Sequence, residues 1–252
     1  METTVSAAPV APEPEPRAEI SAFGRIVGAF FSPKRTFTDI ARKPSWLLPV
    51  IVMTIFSLSV SVVMNRRVDW RDVASKRIES SKRSATMSSE QKEQGIAMSA
   101  KISPGIAYAF GLIGPILAVV IVAAVMMLAF NVIKGAAVTF GASMGIVAHA
   151  YVVTIVSSLL FIVILLLKPS DTIDLDNPVA TNLAAFLPST APKALISLAS
   201  SLDIFSFWTI LLLGIGFAAY NPKKIKGSGL SVVLGVWAIY VICKVGMSFI
   251  LS

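Results

Sequence analysis

Long runs of apolar residues, separated by shorter polar segments, form the dominant pattern along the chain. A membrane-spanning helix needs about 20 predominantly apolar residues, and five runs meet that requirement. They cover residues 46–64, 106–133, 143–167, 202–220 and 229–251. The pattern therefore predicts an all-α polytopic membrane protein whose core is a bundle of five transmembrane helices.

The second run is the longest of the five and contains no charged residue. At about 1.5 Å per residue its 28 residues would reach roughly 42 Å, well beyond a hydrocarbon core of about 30 Å. A helix of that length must tilt, bend or protrude. Gly111, Gly114 and Pro115 are the expected bend positions, because proline removes a backbone donor and clashes with the preceding turn.

The sequence before the first run divides into two parts. Residues 1–19 are rich in proline, alanine and glutamate and are predicted to form a disordered tail. Residues 20–45 have apolar positions at helical spacing, with Arg25 expected on the opposite side and a helix break at Ser32–Pro33. We expect this basic segment to be amphipathic and to lie at the membrane interface, before a membrane domain of residues 46–252.

Polar segments of unequal length connect the apolar runs. The longest, residues 65–103, is predicted to form water-exposed helix in two pieces, broken near residues 84–89. Another, residues 168–201, contains three aspartates. Within it, Asn177-Pro178 is expected to start a short helix on the membrane surface.

Composition agrees with the membrane prediction and narrows the chemistry. The chain has 252 residues, of which 55% are hydrophobic and 14% charged, whereas soluble domains are about 25% charged. A single cysteine excludes a disulfide scaffold, and a single histidine excludes an HExxH zinc site. The sequence also lacks a phosphate-binding glycine loop. No catalytic residue, metal or cofactor is predicted, and we expect a protein that is not an enzyme.

The net charge of +8 is expected to lie at the membrane surface, so no nucleic-acid partner is predicted. The short link at residues 221–229 has three lysines and no acid. In the five-span arrangement the aspartate-containing segment 168–201 lies on the opposite side of the membrane. This favours a cytoplasmic N-terminus and an external C-terminus, in a bacterial inner membrane. Arg66 and Arg67, directly after the first run, favour the opposite orientation.

A few polar residues lie within the runs. His149 is expected to form a helix–helix hydrogen bond, since the runs supply almost no co-ligands for a metal; a proton relay is the alternative. Lys244 is expected to extend its ammonium to the outer interface, or to pair with Asp203. Asn131 is expected to bridge two helices.

Two further patterns concern packing and catalysis. Gly141 and Gly145 have the spacing that lets helices approach closely. A nucleophile–base pair of Ser157 or Ser158 with Lys244 is conceivable. Nothing in the sequence distinguishes these serines from the many others, so this alternative is the least favoured.

Four stretches resemble the Yip-domain family of Ypt-interacting proteins, which is related to the Yif group, and in particular its bacterial members. They are FGRIVGAFFSPKRTFTDIARKPSWLLPVIV, GLIGPILAVVIVAAVMMLAF, GAAVTFGASMGIVAHAYVVTIV and FWTILLLGIGFAAY. The resemblance implies five membrane spans and a cytosolic N-terminus. Eukaryotic members associate with prenylated small GTPases and shape vesicle traffic, a partnership that the resemblance does not carry over to this chain.

Three functions remain open from the sequence. The favoured one is a non-enzymatic membrane organiser or adaptor that acts through helix–helix and lipid contacts, in a homo-oligomer or with other membrane proteins. The alternative is a transporter or channel for a small or lipidic solute. An intramembrane enzyme is the third.

Overall fold

The computed structural model describes residues 20–250 apart from Ser189. Every regular element in this part of the chain is a helix, and the described residues contain no β-strand. The all-α prediction is confirmed for this part. The predicted disordered tail, residues 1–19, lies outside the described residues.

Two short helices, α1 (Ala22–Phe31) and α2 (Pro33–Arg42), form a helical hairpin at the start of the described chain. The Ser21 hydroxyl caps α1 by accepting a hydrogen bond from the Gly24 amide at 3.1 Å. Pro33 occupies the first turn of α2, where a missing backbone donor costs nothing. The predicted helix break is confirmed, and residues 20–45 are called the hairpin below.

Three helices follow: α3 (Leu47–Arg67), α4 (Trp70–Glu79) and α5 (Ser89–Lys134). A break between α4 and α5 is therefore present, as predicted for this polar segment. Reciprocal hydrogen bonds between Ser88 and Gln91 form a capping box that begins α5.

Helix α5 is longer than the apolar run that predicted it. It has 46 residues, or about 69 Å, and continues through Pro104 and Pro115. About 25 Å of this length precedes the apolar run and packs against α4. Residues 70–103 therefore form a polar helical arm at one end of the bundle.

The remaining helices complete the bundle. Helices α6 (Phe140–Ala150) and α7 (Val153–Leu167) are separated only by a turn. Helices α8 (Lys193–Ser201) and α9 (Ile204–Tyr220) are likewise separated by two residues. The four-residue α10 (Pro222–Ile225) and the long α11 (Gly229–Ile250) end the described chain.

Four helical stretches in the described part are long and apolar enough to cross a membrane. They are Leu47–Arg67, Ser89–Lys134, Phe140–Leu167 and Pro222–Ile250. The fifth predicted run is α9, whose 17 residues reach only about 26 Å. The prediction of membrane-spanning helices is therefore confirmed for four of the five runs.

Helix α9 is short because the chain breaks at Leu202–Asp203. Side chains along α11 meet α9 and then α8 in antiparallel order: Gly229 lies beside Gly214, the Trp237 and Phe207 rings are 5.5 Å apart, and Lys244 reaches Ser200. The two short helices thus form one interrupted track along α11. Together residues 193–220 extend over about 42 Å.

Contacts between connecting segments define two ends of the bundle. At the link end, formed by residues 134–139 and 221–228, the Asn221 amide donates to the Ala136 carbonyl at 2.9 Å. At the loop end, the Arg67 guanidinium donates to the Leu165 carbonyl at 3.0 Å and joins α3 to the end of α7. The arm lies at the loop end.

The hairpin is part of the core. Phe37 and Ile40 of α2 are fully buried, and α2 packs on α6 and α9. Arg25 is also buried, which corrects the expectation that it faces away from the packed side. The physical reason is Asp39, whose carboxylate lies 2.8 Å from the guanidinium and satisfies its charge.

The short helix predicted to begin at Asn177 does not form. Asn177 and Asn182 bond to each other through their side-chain amides, at 2.7 and 3.2 Å. The chain bends through this region, and a single 3₁₀ turn follows at Leu183–Phe186. Side-chain pairing here replaces the helix cap that the sequence suggests.

Candidate functional site

A cavity of about 770 Å³ lies among α5, α7, α9 and α11, beside the break between α8 and α9. Most of its wall is aliphatic and aromatic. Seven hydroxyl-bearing side chains and one carboxylate interrupt that wall: Tyr151, Thr154, Ser157, Ser158, Ser206, Thr209, Tyr240 and Asp203. An apolar cavity with a few convergent polar groups is the usual form of a small-molecule site.

Asp203 begins α9 as its N-cap. One carboxylate oxygen accepts the amides of Phe205 and Ser206 at 2.9 and 3.1 Å. The other accepts the Thr181 hydroxyl at 2.6 Å. The amide of Ile204 donates to the Thr181 carbonyl at 3.4 Å. These bonds satisfy the backbone at the break, as the interior of a membrane bundle requires.

The side of the break that faces α11 is held by Lys244. Its ammonium donates to the hydroxyls of Ser200 and Ser201 at 2.9 and 3.1 Å. Both serine hydroxyls in turn donate to the Ser197 carbonyl. Lys244 is therefore a hydrogen-bond donor that ties α8 to α11, and it contacts neither Ser157 nor Ser158 among the described side chains.

Aromatic side chains form a second feature of the cavity wall: Tyr151, Phe205, Trp237 and Tyr240. Among the residues that line the cavity, none is lysine, arginine or histidine. The carboxylate of Asp203 is the only formal charge among the described residues of the wall. The site therefore presents negative charge, hydroxyl groups and aromatic faces in an otherwise apolar enclosure.

The Yip1 domain matches residues 27–247, which include the hairpin from Val27 onward and every residue that lines the cavity. The chain belongs to the Yip1 domain family. No curated protein and no solved structure matches it.

In this Yip1 domain two of the singled-out polar residues bond to backbone. His149 is fully buried, and its Nδ1 lies 2.8 Å from the Gly145 carbonyl, one turn back on α6. Asn131 bonds twice to Val138, at 2.6 and 3.0 Å, and so joins the end of α5 to the loop that precedes α6. Neither residue lines the cavity.

The singled-out glycines and proline of this Yip1 domain lie in different surroundings. A Cβ on Gly145 would lie 3.3 Å from the Ser45 carbonyl, so the hairpin packs closely there. Additional Cβ atoms on Gly141 and Gly114 would meet nothing within 4 Å. Pro115 lies inside the uninterrupted α5.

Lys244 and Asp203 do not bond to each other among the described side chains. Both reach the break between α8 and α9, but Lys244 bonds to Ser200, whereas Asp203 bonds to Thr181. No group of three His, Cys, Asp or Glu side chains among the described residues could hold a metal ion.

Sequence reasoning missed the role of Thr181 and the pairing of Arg25 with Asp39. For the first, the sequence signals only the N-cap at Asp203, since aspartate before an apolar run is a favoured cap; its partner Thr181 lies 22 positions earlier. The second depends on the fold of the hairpin, since the two residues are 14 positions apart on different helices.

Proposed function

We propose that this Yip1 domain protein is a non-enzymatic membrane organiser or adaptor that acts through lipid and helix–helix contacts. The observation that carries this proposal is the outer surface of the hairpin. Phe23, Val27 and Phe31 of α1 are exposed, as are the basic side chains Lys34 and Arg35 of α2. Such a surface suits acyl chains on one side and anionic headgroups on the other.

The hairpin is a rigid platform for such contacts because its inner side is anchored. The Arg25 guanidinium donates to Asp39, to the Lys43 carbonyl and to the Ser45 hydroxyl, each at 2.8 Å. These bonds hold α1, α2 and the approach to α3 together. Membrane contacts made by the hairpin would therefore be transmitted to the bundle.

Large lipid-facing surfaces support assembly with other membrane proteins or with further copies of the chain. Between 17% and 22% of the residues in the best window of each candidate span are buried within the chain. The rest is available to lipid or to partner helices. We propose lipid as the universal partner, with homo-oligomers or other membrane proteins as additional ones and no nucleic acid.

We further propose five crossings, with the link end in the cytoplasm, and a bacterial-type, Yif-related family member in the inner membrane. The link end and the hairpin, residues 20–46, 134–139 and 221–228, together have nine basic residues and one acid. At the loop end Arg66 and Arg67 lie next to a span, but most of the other basic residues lie on the arm, away from the spans. Basic residues close to span ends are the ones that set orientation.

Alkaline phosphatase fusions test this orientation. Fusions after residues 85 and 180, both at the loop end, are expected to be active because the enzyme folds only outside the cytoplasm. Fusions after residue 225 at the link end are the matched control and should be inactive. The reverse pattern would contradict the proposed orientation.

The organiser proposal is tested with Lys34→Gln/Arg35→Gln on the hairpin. In vesicles containing anionic phospholipid, we expect this variant to lose most of the wild-type enrichment of anionic lipid, since two headgroup contacts of about 1 kcal/mol each disappear. Native mass spectrometry of co-purified lipid and imaging of lateral clustering measure the result. Removing residues 1–45 is a poorer test, because Phe37 and Ile40 belong to the core.

Arg83→Gln/Lys101→Gln in the arm is the matched control. Both side chains are exposed, and the change in charge is the same. We expect this variant to behave like the wild type. Equal lipid enrichment and clustering in the wild type and the hairpin variant would refute an organiser role for this surface.

A transporter or channel for a small or lipidic solute is the second candidate function. The cavity supports it, because an interrupted helix beside a cavity with a few polar side chains is a recurrent feature of transporter binding sites. A fluorescent phospholipid in proteoliposomes provides the test, with transbilayer movement measured by dithionite quenching. Movement no faster than in protein-free vesicles, or unchanged by Ser158→Leu in the cavity wall, would count against transport.

A further inference from the structure

We propose that the cavity beside the α8–α9 break binds an alkylammonium group, presented by an amphiphile or by a small free cation. The juxtaposition of one carboxylate, several hydroxyls and four aromatic side chains in an apolar enclosure carries this proposal. It names the ligand class for the second candidate function, but binding does not require transport.

The charge on the cavity wall favours a positively charged ligand. Among the described residues that line the cavity, Asp203 is the only carboxylate and none is cationic. A phosphate or carboxylate headgroup would face this negative charge without a counter-ion. Among mostly apolar side chains that arrangement is unfavourable, whereas a cation is attracted.

The N-terminus of a helix often binds anions through its first amides. Here the first amides of α9 already have partners within the chain. The amides of Phe205 and Ser206 donate to the Asp203 carboxylate, and the Ile204 amide donates to the Thr181 carbonyl. Since these donors are occupied, the start of α9 offers an anion no binding group.

The cavity wall also offers oxygen atoms that can face an ammonium group. The Asp203 oxygen that receives the Thr181 hydroxyl has a further lone pair, because a carboxylate can accept about four hydrogen bonds. Within the described residues, the side-chain hydroxyls of Ser157, Ser158 and Ser206 make no hydrogen bond. Their oxygens can accept a hydrogen bond from an ammonium group that has an N–H, and can turn their dipoles toward a quaternary ammonium group, which has none.

Four aromatic side chains line the same cavity: Tyr151, Phe205, Trp237 and Tyr240. Aromatic faces attract cations, and groups of them recognise quaternary ammonium ions. The aliphatic side chains of α5 extend the wall on another side and suit a hydrocarbon tail.

Photo-crosslinking of the full chain in lipid nanodiscs tests the proposal. The probe is a dodecyltrimethylammonium ion with a diazirine in its alkyl chain, and a dodecanoate with the same diazirine is the anionic counterpart. We expect the cationic probe to label the cavity segments of α5 and α11 about tenfold more than the anionic one, the ratio that 1.4 kcal/mol produces. Peptide mass spectrometry identifies the labelled segments.

Two variants separate recognition from folding. Asp203→Asn keeps an N-cap side chain but removes the charge, and should reduce cationic labelling by about tenfold without lowering the melting temperature. Asp171→Asn, at an exposed carboxylate in the loop, is the control and should change nothing. Ser158→Leu should reduce labelling by filling the cavity, while the cap at Asp203 remains intact.

Competition identifies the source of the ammonium group. Suppression of labelling by choline indicates a small free cation, and suppression only by unlabelled dodecyltrimethylammonium indicates an amphiphile. Equal labelling by the cationic and anionic probes, or no effect of Asp203→Asn, would overturn the proposal. Ammonium binding without lipid movement would contradict the transport function and leave the binding proposal intact. The lipid-enrichment test of the hairpin depends on neither result.

Discussion

At the scale of single residues, the best-defined polar interaction in the described chain is the buried pair of Arg25 and Asp39. The side chains are 4% and 5% exposed, and the guanidinium also donates to the Lys43 carbonyl and the Ser45 hydroxyl. Burying a charge is expensive unless it is paired and hydrogen-bonded. The pair therefore specifies how the hairpin folds against the start of α3.

Arg25→Met should destabilise the protein by about 3–5 kcal/mol, because the Asp39 carboxylate remains buried without this guanidinium. Thermal unfolding in detergent, followed by tryptophan fluorescence, measures the change. Lys34→Met, at an exposed position in the same hairpin, is the matched control and should unfold like the wild type. An equal melting temperature for both variants would show that the pair has no structural importance.

At the scale of elements, close contact between α9 and α11 depends on glycine. A Cβ on Gly229 would lie 2.5 Å from the Gly214 carbonyl oxygen and 3.2 Å from the Ala218 side chain. The backbone at this contact cannot yield without separating the two helices. Small residues allow such approach where lipid provides no hydrophobic driving force between helices.

We expect Gly229→Ala to cost about 1–3 kcal/mol, because the added methyl group overpacks the contact between helices. Gly235→Ala lies on the same helix, where an added Cβ meets nothing within 4 Å. This control should be neutral or stabilising by up to about 1 kcal/mol, since alanine favours helix over glycine. Comparable unfolding of the two variants would contradict close packing at Gly229.

At the scale of the whole molecule, the contacts group the connecting segments at two ends. Asn221 bonds to Ala136 at the link end, and Arg67 bonds to Leu165 at the loop end. Such grouping is what alternate crossings of a membrane would produce. The interrupted track of α8 and α9 has the length for one of those crossings, which supports the proposed five.

Cysteine labelling tests the fifth crossing directly. In a Cys243→Ser background, Asp171→Cys at the loop end should react with a membrane-impermeant maleimide in intact cells. Lys224→Cys at the link end should react only after permeabilisation, because α8 and α9 lie between the two sites. Both positions are exposed, so reaction of both from the same side would contradict a crossing by α8 and α9.

The pattern of apolar residues was sufficient to predict an all-helical membrane protein, four long apolar helices and the break in the hairpin. Each of these follows from local properties, namely a run long enough for a bilayer, or a proline placed after a serine. The Yip1 family match was likewise anticipated by four short stretches and their order along the chain.

Only the tertiary structure decided the features that depend on residues far apart in the chain. Arg25 looked solvent-facing from its helical position, and it is buried because Asp39 folds back onto it. The run at residues 202–220 looked like a complete span, whereas Asp203 caps a shorter helix and Lys244 holds the preceding one. Hydropathy records how apolar each segment is; it contains no information on which distant partner satisfies a buried charge or a broken backbone.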